Sequence, residues 1–189
     1  RQFKEGLICG VEVFNYLKKT LNQKGFSTAV GDEGGFAPGI DSAEEALDLI
    51  SSSIEAAGYK VDKDVTFALD CAATELLNNN EYVFSNDERL SSGELIEYLT
   101  KLSNSYPLTS IEDGLDENDW SGWENMTKKL GEKTQLVGDD LFVTNKEILQ
   151  EGINRNVGNS ILVKINQIGT ISETFQTINS VSYTHLTLP

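Results

Sequence analysis

A short apolar run followed by a stretch of helical period recurs four times in the second two thirds of this chain, and that alternation limits the fold more than any other feature of its 189 residues. The runs are "VTFAL" (65–69), "LTSI" (108–111), "TQLV" (134–137) and "SILV" (160–163). Runs this short and this β-favouring suit strands covered on both faces. After them come a helix from near Ser91, with Leu95, Leu99 and Leu102 on one side, a helix over Trp120–Leu130, one from near Asn145 with Ile148, Leu149 and Ile153, and one from near Thr170. A small hairpin strand is predicted at Tyr82–Phe84. With no tight turn joining the main strands, they run parallel and are linked by helical crossovers. Two architectures answer to that pattern, a closed (β/α) barrel and an open doubly wound sheet. No glycine fingerprint of a dinucleotide fold follows the strands, which favours the barrel. A complete eight-fold barrel takes about 250 residues, so a chain of this length with roughly five or six units is expected to be a partial α/β barrel.

Upstream, Leu7, Val11, Phe14, Leu17 and Leu21 recur at helical steps, with Gly25 at the stop. A second helix is expected where Ser42 and Glu45 have capping-box spacing and Gly58 stands at the far end. Between these helices lies "VGDEGGFAP", two acids set against paired glycines without helical or strand period. The formal charge of −15 and the lack of any basic patch exclude nucleic acid as the expected partner. No apolar run approaches the roughly 20 residues of a membrane span, and no signal-peptide pattern opens the chain, so a cytoplasmic protein is expected. Cys9 and Cys71 lack metal spacing and are expected to be reduced, buried thiols.

The residues just past each strand carry the chemistry. Leu69 is followed by Asp70, Ile111 by Glu112 and Asp113, Val137 by Gly138, Asp139 and Asp140, and Val163 by Lys164. In a parallel barrel these positions meet on the C-terminal rim. A lone acid at a strand end is ordinarily a helix cap or turn residue. Acids and a lysine after successive strands form a set that would repel itself unless pKa values rise or cations bind. Hard oxygen donors suit Mg²⁺, which keeps waters and substrate oxygens in its remaining positions. Lys164 reads either as an ion-pair partner or as a base, and Glu33 either as a turn residue or as an acid on a mobile glycine loop.

"VGDEGGFAP", "ALDCAATE", "SIEDGLDENDW", "QLVGDDLFVTN" and "ILVKINQIGTISET" stand in the order and spacing of the enolase family, so residues 1–174 resemble part of its C-terminal TIM-type barrel domain. The resemblance implies a Mg²⁺-dependent carbon–oxygen lyase of glycolysis, phosphopyruvate hydratase, interconverting 2-phosphoglycerate and phosphoenolpyruvate. It implies Asp70, Glu112 and Asp139 as ligands, with two Mg²⁺ per site. Lys164 would be the proton acceptor, Glu33 the proton donor, and Glu112 and Asp139 also substrate-binding positions. It further implies a cytoplasmic homodimer or larger homo-oligomer, with a cell-surface or secreted pool in some members. The alternatives are a non-catalytic surface-binding or structural enolase-like protein and an acid-sugar dehydratase of the same superfamily. Residues 175–189 lose the apolar period and are expected to be a divergent, non-native tail, which leaves its His185 without a catalytic role. The isolated chain is expected to be inactive, since the family's later lysine and its Ser-His-Arg-Ser-Gly loop do not occur in it.

Overall fold

The computed structural model describes residues 2–182 apart from Asn86. The chain divides into two compact units, Arg1–Thr66 and Phe67–Pro189.

The first unit is a pair of helices, α1 (Phe3–Gln23) and α2 (Ala43–Ala56), packed through buried Leu21, Leu47, Leu49 and Ile54. Ser42 caps α2 by accepting the Glu45 N–H at 3.1 Å. Gly25 (φ +80°) and Gly58 (φ +87°) reverse the chain after the two helices in the left-handed region. The predicted apolar stripe of α1 is largely uncovered: Leu7, Val11 and Phe14 are 58%, 53% and 39% exposed, and only Leu21 is buried. Phe14 stacks on Phe36 with ring centroids 4.3 Å apart, which ties the glycine-rich segment to that helix.

In the second unit β1 (Phe67–Asp70) leads through a 3₁₀ turn (Ala73–Leu76) into a small antiparallel sheet of β2 (Leu77–Asn78), β3 (Glu81–Val83) and β4 (Arg89–Leu90). The expected hairpin strand at 82–84 is thus the centre of three strands. Then follow α3 (Ser92–Ser105), β5 (Leu108–Glu112), α4 (Trp120–Leu130), β6 (Gln135–Gly138), α5 (Lys146–Arg155), β7 (Ser160–Ile161), α6 (Ile165–Ile168) and α7 (Ile171–Ser182). The main sheet is parallel in the order β1-β5-β6-β7, each strand beside the next parallel one in the chain. That stepwise order is a barrel wall rather than a doubly wound sheet, whose strand order reverses partway. Among the described residues the wall has four strands, not the five or six units expected, and it is an open partial barrel.

Ile111 and Leu136 from the strands, Leu95, Leu99 and Leu102 from α3, Trp123 and Met126 from α4, and Phe142 before α5 are all buried. Four strand ends on one edge are therefore anchored from beneath by a packed layer, which lets charged groups sit above it. The helix expected from near Thr170 continues through Ser182 although its apolar period lapses, because Val181 still finds a buried position. The 174/175 boundary falls inside it, and His185 lies outside the described residues. Cys9 and Cys71 are free and half-buried rather than fully buried as expected. No helix among the described residues is long and apolar enough to cross a membrane.

Candidate active site

Parallel pairing brings the strand ends to one edge. Asp70 closes β1 directly beside Glu112, which closes β5, and Glu112 in turn registers with Val137 of β6. Asp139 and Asp140 follow β6, and Lys164 follows β7 by three residues. Asp70 is exposed, Glu112 and Lys164 half-buried, and Asp139 only 8% exposed. These residues act on one another. Burial pushes the Glu112 carboxyl above the usual carboxylate range, the charges of Asp70, Asp139 and Asp113 push it further, and Lys164 opposes them.

Asp139 is the most heavily engaged member. One oxygen pairs with the Lys164 ammonium, and the other accepts from Gln167 Nε2 at 3.2 Å. The hydrogen bond to Asp139 holds Lys164 above its ordinary range; burial lowers it, and the charges of Asp139, Glu112 and Asp140 raise it again. In this arrangement the lysine is an ammonium.

Asp113 is a functional neighbour whose role the sequence pattern did not single out. Its backbone is left-handed (φ 41°) and its N–H extends the β5–β6 ladder by donating to Val137 O at 3.0 Å. Its carboxylate, 5% exposed, accepts the N–H of Asp139 at 3.0 Å and of Asp140 at 2.8 Å. Burial raises the Asp113 carboxyl while these two amides draw it back down. Asp113, Asp139 and Asp140 each bring a carboxylate oxygen within 4.8 Å of the others, a spacing that could hold a metal ion. This trio shares only Asp139 with the set that the resemblance implies. The one signal available was that Asp113 directly follows Glu112, and successive strand residues point to opposite faces.

The donor set as a whole fits a hard divalent cation. It consists of carboxylates; burial first and neighbouring negative charge second raise Glu112 and Asp113, and a cation would offset the share that comes from charge. Cys71, next to Asp70, is not part of such chemistry: burial and then the charges of Asp70 and Asp113 push its thiol up to about 12, so it stays protonated.

Glu33 belongs to the first unit, and the rim is a property of the second. Its segment carries main-chain hydrogen bonds of its own. Gly31 donates to Gly35 O at 2.9 Å, Gly34 to Gly31 O at 2.9 Å, and Ala37 to Ala29 O at 3.1 Å, with Val30 bridged to Phe36. Gly34 (φ +83°) supplies the left-handed step that closes the turn, and Glu33 stands exposed at its tip.

A family model described as the enolase C-terminal TIM barrel domain matches residues 1–187. A curated relative named enolase, from Legionella pneumophila (strain Corby), is 56% identical over 177 residues, covering 93% of this chain and 42% of its own length. The chain thus spans less than half the length of the relative it matches.

Proposed function

We propose, from the premise that this chain belongs to the enolase family through its C-terminal TIM barrel domain, that the protein carrying it is a Mg²⁺-dependent phosphopyruvate hydratase. The reaction removes water from 2-phosphoglycerate to give phosphoenolpyruvate, a step of glycolysis. The observation that carries this reading is the meeting of Asp70, Glu112, Asp139 and Lys164 on one strand edge, where the charges of Asp70 and Asp139 raise the Glu112 carboxyl and Lys164 opposes them. Family membership supplies the lyase class.

The C2 proton of the substrate lies beside a carboxylate, so its removal concentrates negative charge on a group that already bears it. Asp70, Glu112 and Asp139 would hold Mg²⁺, whose chemistry at this place is Lewis-acid stabilisation of that charge. The pairing of a lysine base with Mg²⁺ is the pattern described for enolase-superfamily sites in general. Lys164 takes the C2 proton. It does so as the neutral amine, whereas its hydrogen bond to Asp139 in the present arrangement favours the ammonium. Glu33 delivers a proton to the departing C3 hydroxyl, since hydroxide is a poor leaving group. Glu112 and Asp139 also face the substrate. The protein is proposed to work in the cytoplasm as a homodimer or larger homo-oligomer.

Two half-reactions test the assignment in the full-length protein that contains this segment. Exchange of the substrate C2 hydrogen with solvent deuterium requires only the base, whereas loss of the C3 hydroxyl requires the acid as well. Lys164→Ala is expected to lose both, and Glu33→Gln to keep exchange while losing dehydration. Full exchange in Lys164→Ala overturns the base assignment; normal dehydration in Glu33→Gln overturns the acid assignment.

A further inference from the structure

Lys164 is gripped at both ends by one closed circuit of hydrogen bonds. Its backbone N–H donates to Thr144 Oγ1 at 2.8 Å. The Thr144 hydroxyl lies 3.2 Å from Gln167 Oε1, Gln167 Nε2 donates to Asp139 Oδ1 at 3.2 Å, and the other Asp139 oxygen pairs with Lys164 Nζ. The circuit leaves the main chain of Lys164 and returns to the tip of its side chain. Gln167 belongs to α6, three residues after Lys164, so one short turn of helix carries both the gripped residue and part of the grip.

The chain accepts an unfavourable backbone to build it. Val143 (φ 43°) and Thr144 (φ 56°) are consecutive β-branched residues in the left-handed region, where such residues are genuine outliers. Strain of this kind survives only where the surroundings hold it. Here Thr177 Oγ1 donates to Thr144 O at 2.7 Å, Asn145 N–H donates to Phe142 O at 2.7 Å, and Thr144 is fully buried. A glycine or asparagine would adopt this conformation more readily, but neither offers a hydroxyl that accepts from one partner while donating to another.

We infer that Thr144 and Gln167 are positioning residues for Lys164, fixing where its amine stands relative to the substrate carbon it deprotonates. The inference rests on the proposed function. Misplacing a reacting group by about 1 Å can lower a rate on the order of a hundredfold, and the effect falls on kcat when ground-state binding is untouched. Both act through Lys164, Thr144 on its backbone N–H and Gln167 by way of Asp139.

The full-length protein is compared with its Thr144→Val, Thr144→Ser and Gln167→Met variants. Thr144→Val keeps the shape and loses the hydroxyl, while Thr144→Ser keeps the hydroxyl and loses a buried methyl. Expected is a fall of about tenfold or more in kcat for Thr144→Val and Gln167→Met, KM for 2-phosphoglycerate moving less than about threefold, and kcat of Thr144→Ser within about twofold of the parent. Thermal midpoints separate this from a plain packing role, because deleting the methyl lowers the midpoint of Thr144→Ser without a matching loss of rate. Should kcat instead follow the thermal midpoints, or stay at the parent level in both Thr144→Val and Gln167→Met, the inference is overturned. Hydrogen exchange of the Lys164 amide, which needs no catalysis, is expected to be slow in the parent and Thr144→Ser and faster in Thr144→Val. Unchanged protection in Thr144→Val removes the circuit itself, whereas faster exchange with full C2 deuteration in Lys164→Ala overturns the catalytic reading and leaves the circuit standing as architecture only.

Discussion

Asp113 Oδ1 accepts the backbone N–H of Asp139 at 3.0 Å, so a buried carboxylate at the end of β5 holds the turn that presents a candidate ligand after β6. Its second oxygen does the same for Asp140 at 2.8 Å. Each Asp113 oxygen thus accepts one main-chain amide and keeps a second lone pair.

Asp113→Ala leaves those two amides without their partner and is expected to destabilise the second unit by about 2–4 kcal/mol, with Asp113→Asn costing about half as much because one carbonyl acceptor remains. Urea unfolding of the variants checks the order. Equal stability of Asp113→Ala and the parent would mean the clamp is energetically idle.

Glu112→Gln should separate stability from metal binding. The Glu112 carboxyl is raised, first by burial and then by Asp70, Asp139 and Asp113. A carboxyl whose folded pKa lies above its unfolded value is bound to more protons in the native state between the two, so it lowers stability as pH rises through that window. The penalty is complete above the folded pKa. In the absence of divalent cations Glu112→Gln is therefore expected to raise the thermal midpoint at neutral pH, and the gap to the parent should close as pH falls through the raised pKa. Calorimetric titration with Mg²⁺ is expected to show weaker binding in the same variant.

Helix α3 carries a complete capping box. Ser91 N–H donates to Glu94 Oε2 at 2.8 Å, and Ser91 Oγ accepts from the Glu94 N–H. Ser91→Ala is expected to cost about 1 kcal/mol at neutral pH. The Ser91 hydrogen bonds depress the Glu94 carboxyl, so their contribution is present above the unfolded pKa and lost as pH falls through the folded one. The measured cost of Ser91→Ala should therefore shrink in acid.

Gly138 and Gly152 flank the Phe142 ring from opposite sides. A Cβ on Gly138 would stand 2.5 Å from Phe142 Cδ2, and one on Gly152 would stand 2.5 Å from Phe142 Cε1. Either alanine overpacks a buried ring and is expected to cost about 1–3 kcal/mol. Gly138 immediately precedes Asp139, so Gly138→Ala is expected to weaken Mg²⁺ binding as well, while Gly152→Ala, within α5, leaves it unchanged. Parallel denaturation and calorimetry on the pair would reveal the difference.

The alternation of buried strands and amphipathic helices was legible along the chain because both are written in local periods. Trp120–Leu130 and the Asn145 cap lie where the spacing puts them, and strand positions differ by a residue or two at their ends. The acids after the strands were legible for the same reason, since a parallel sheet of known direction sends every strand end to one edge. Residues of the circuit were not: nothing around Val143 and Thr144 favours a left-handed backbone, and a threonine there reads as ordinary loop. Nor did the period of α1 reveal that its stripe would remain exposed at Leu7 and Val11, because periodicity shows which face is apolar and not what covers it.

The sequence by itself determined the order of elements, the carboxylates and lysine at the strand ends, and the family they resemble, because each depends on residues near one another in the chain. Tertiary structure alone decided that Asp113 turns inward to two amides, that Asp139 is shared between Lys164 and Gln167, and that Thr144 reaches the Lys164 main chain. Those choices join groups 20 to 28 residues apart. Which donor meets which acceptor across such a separation is settled by the register of the sheet and the dihedral angles of its turns, and neither is encoded in the spacing of residue types.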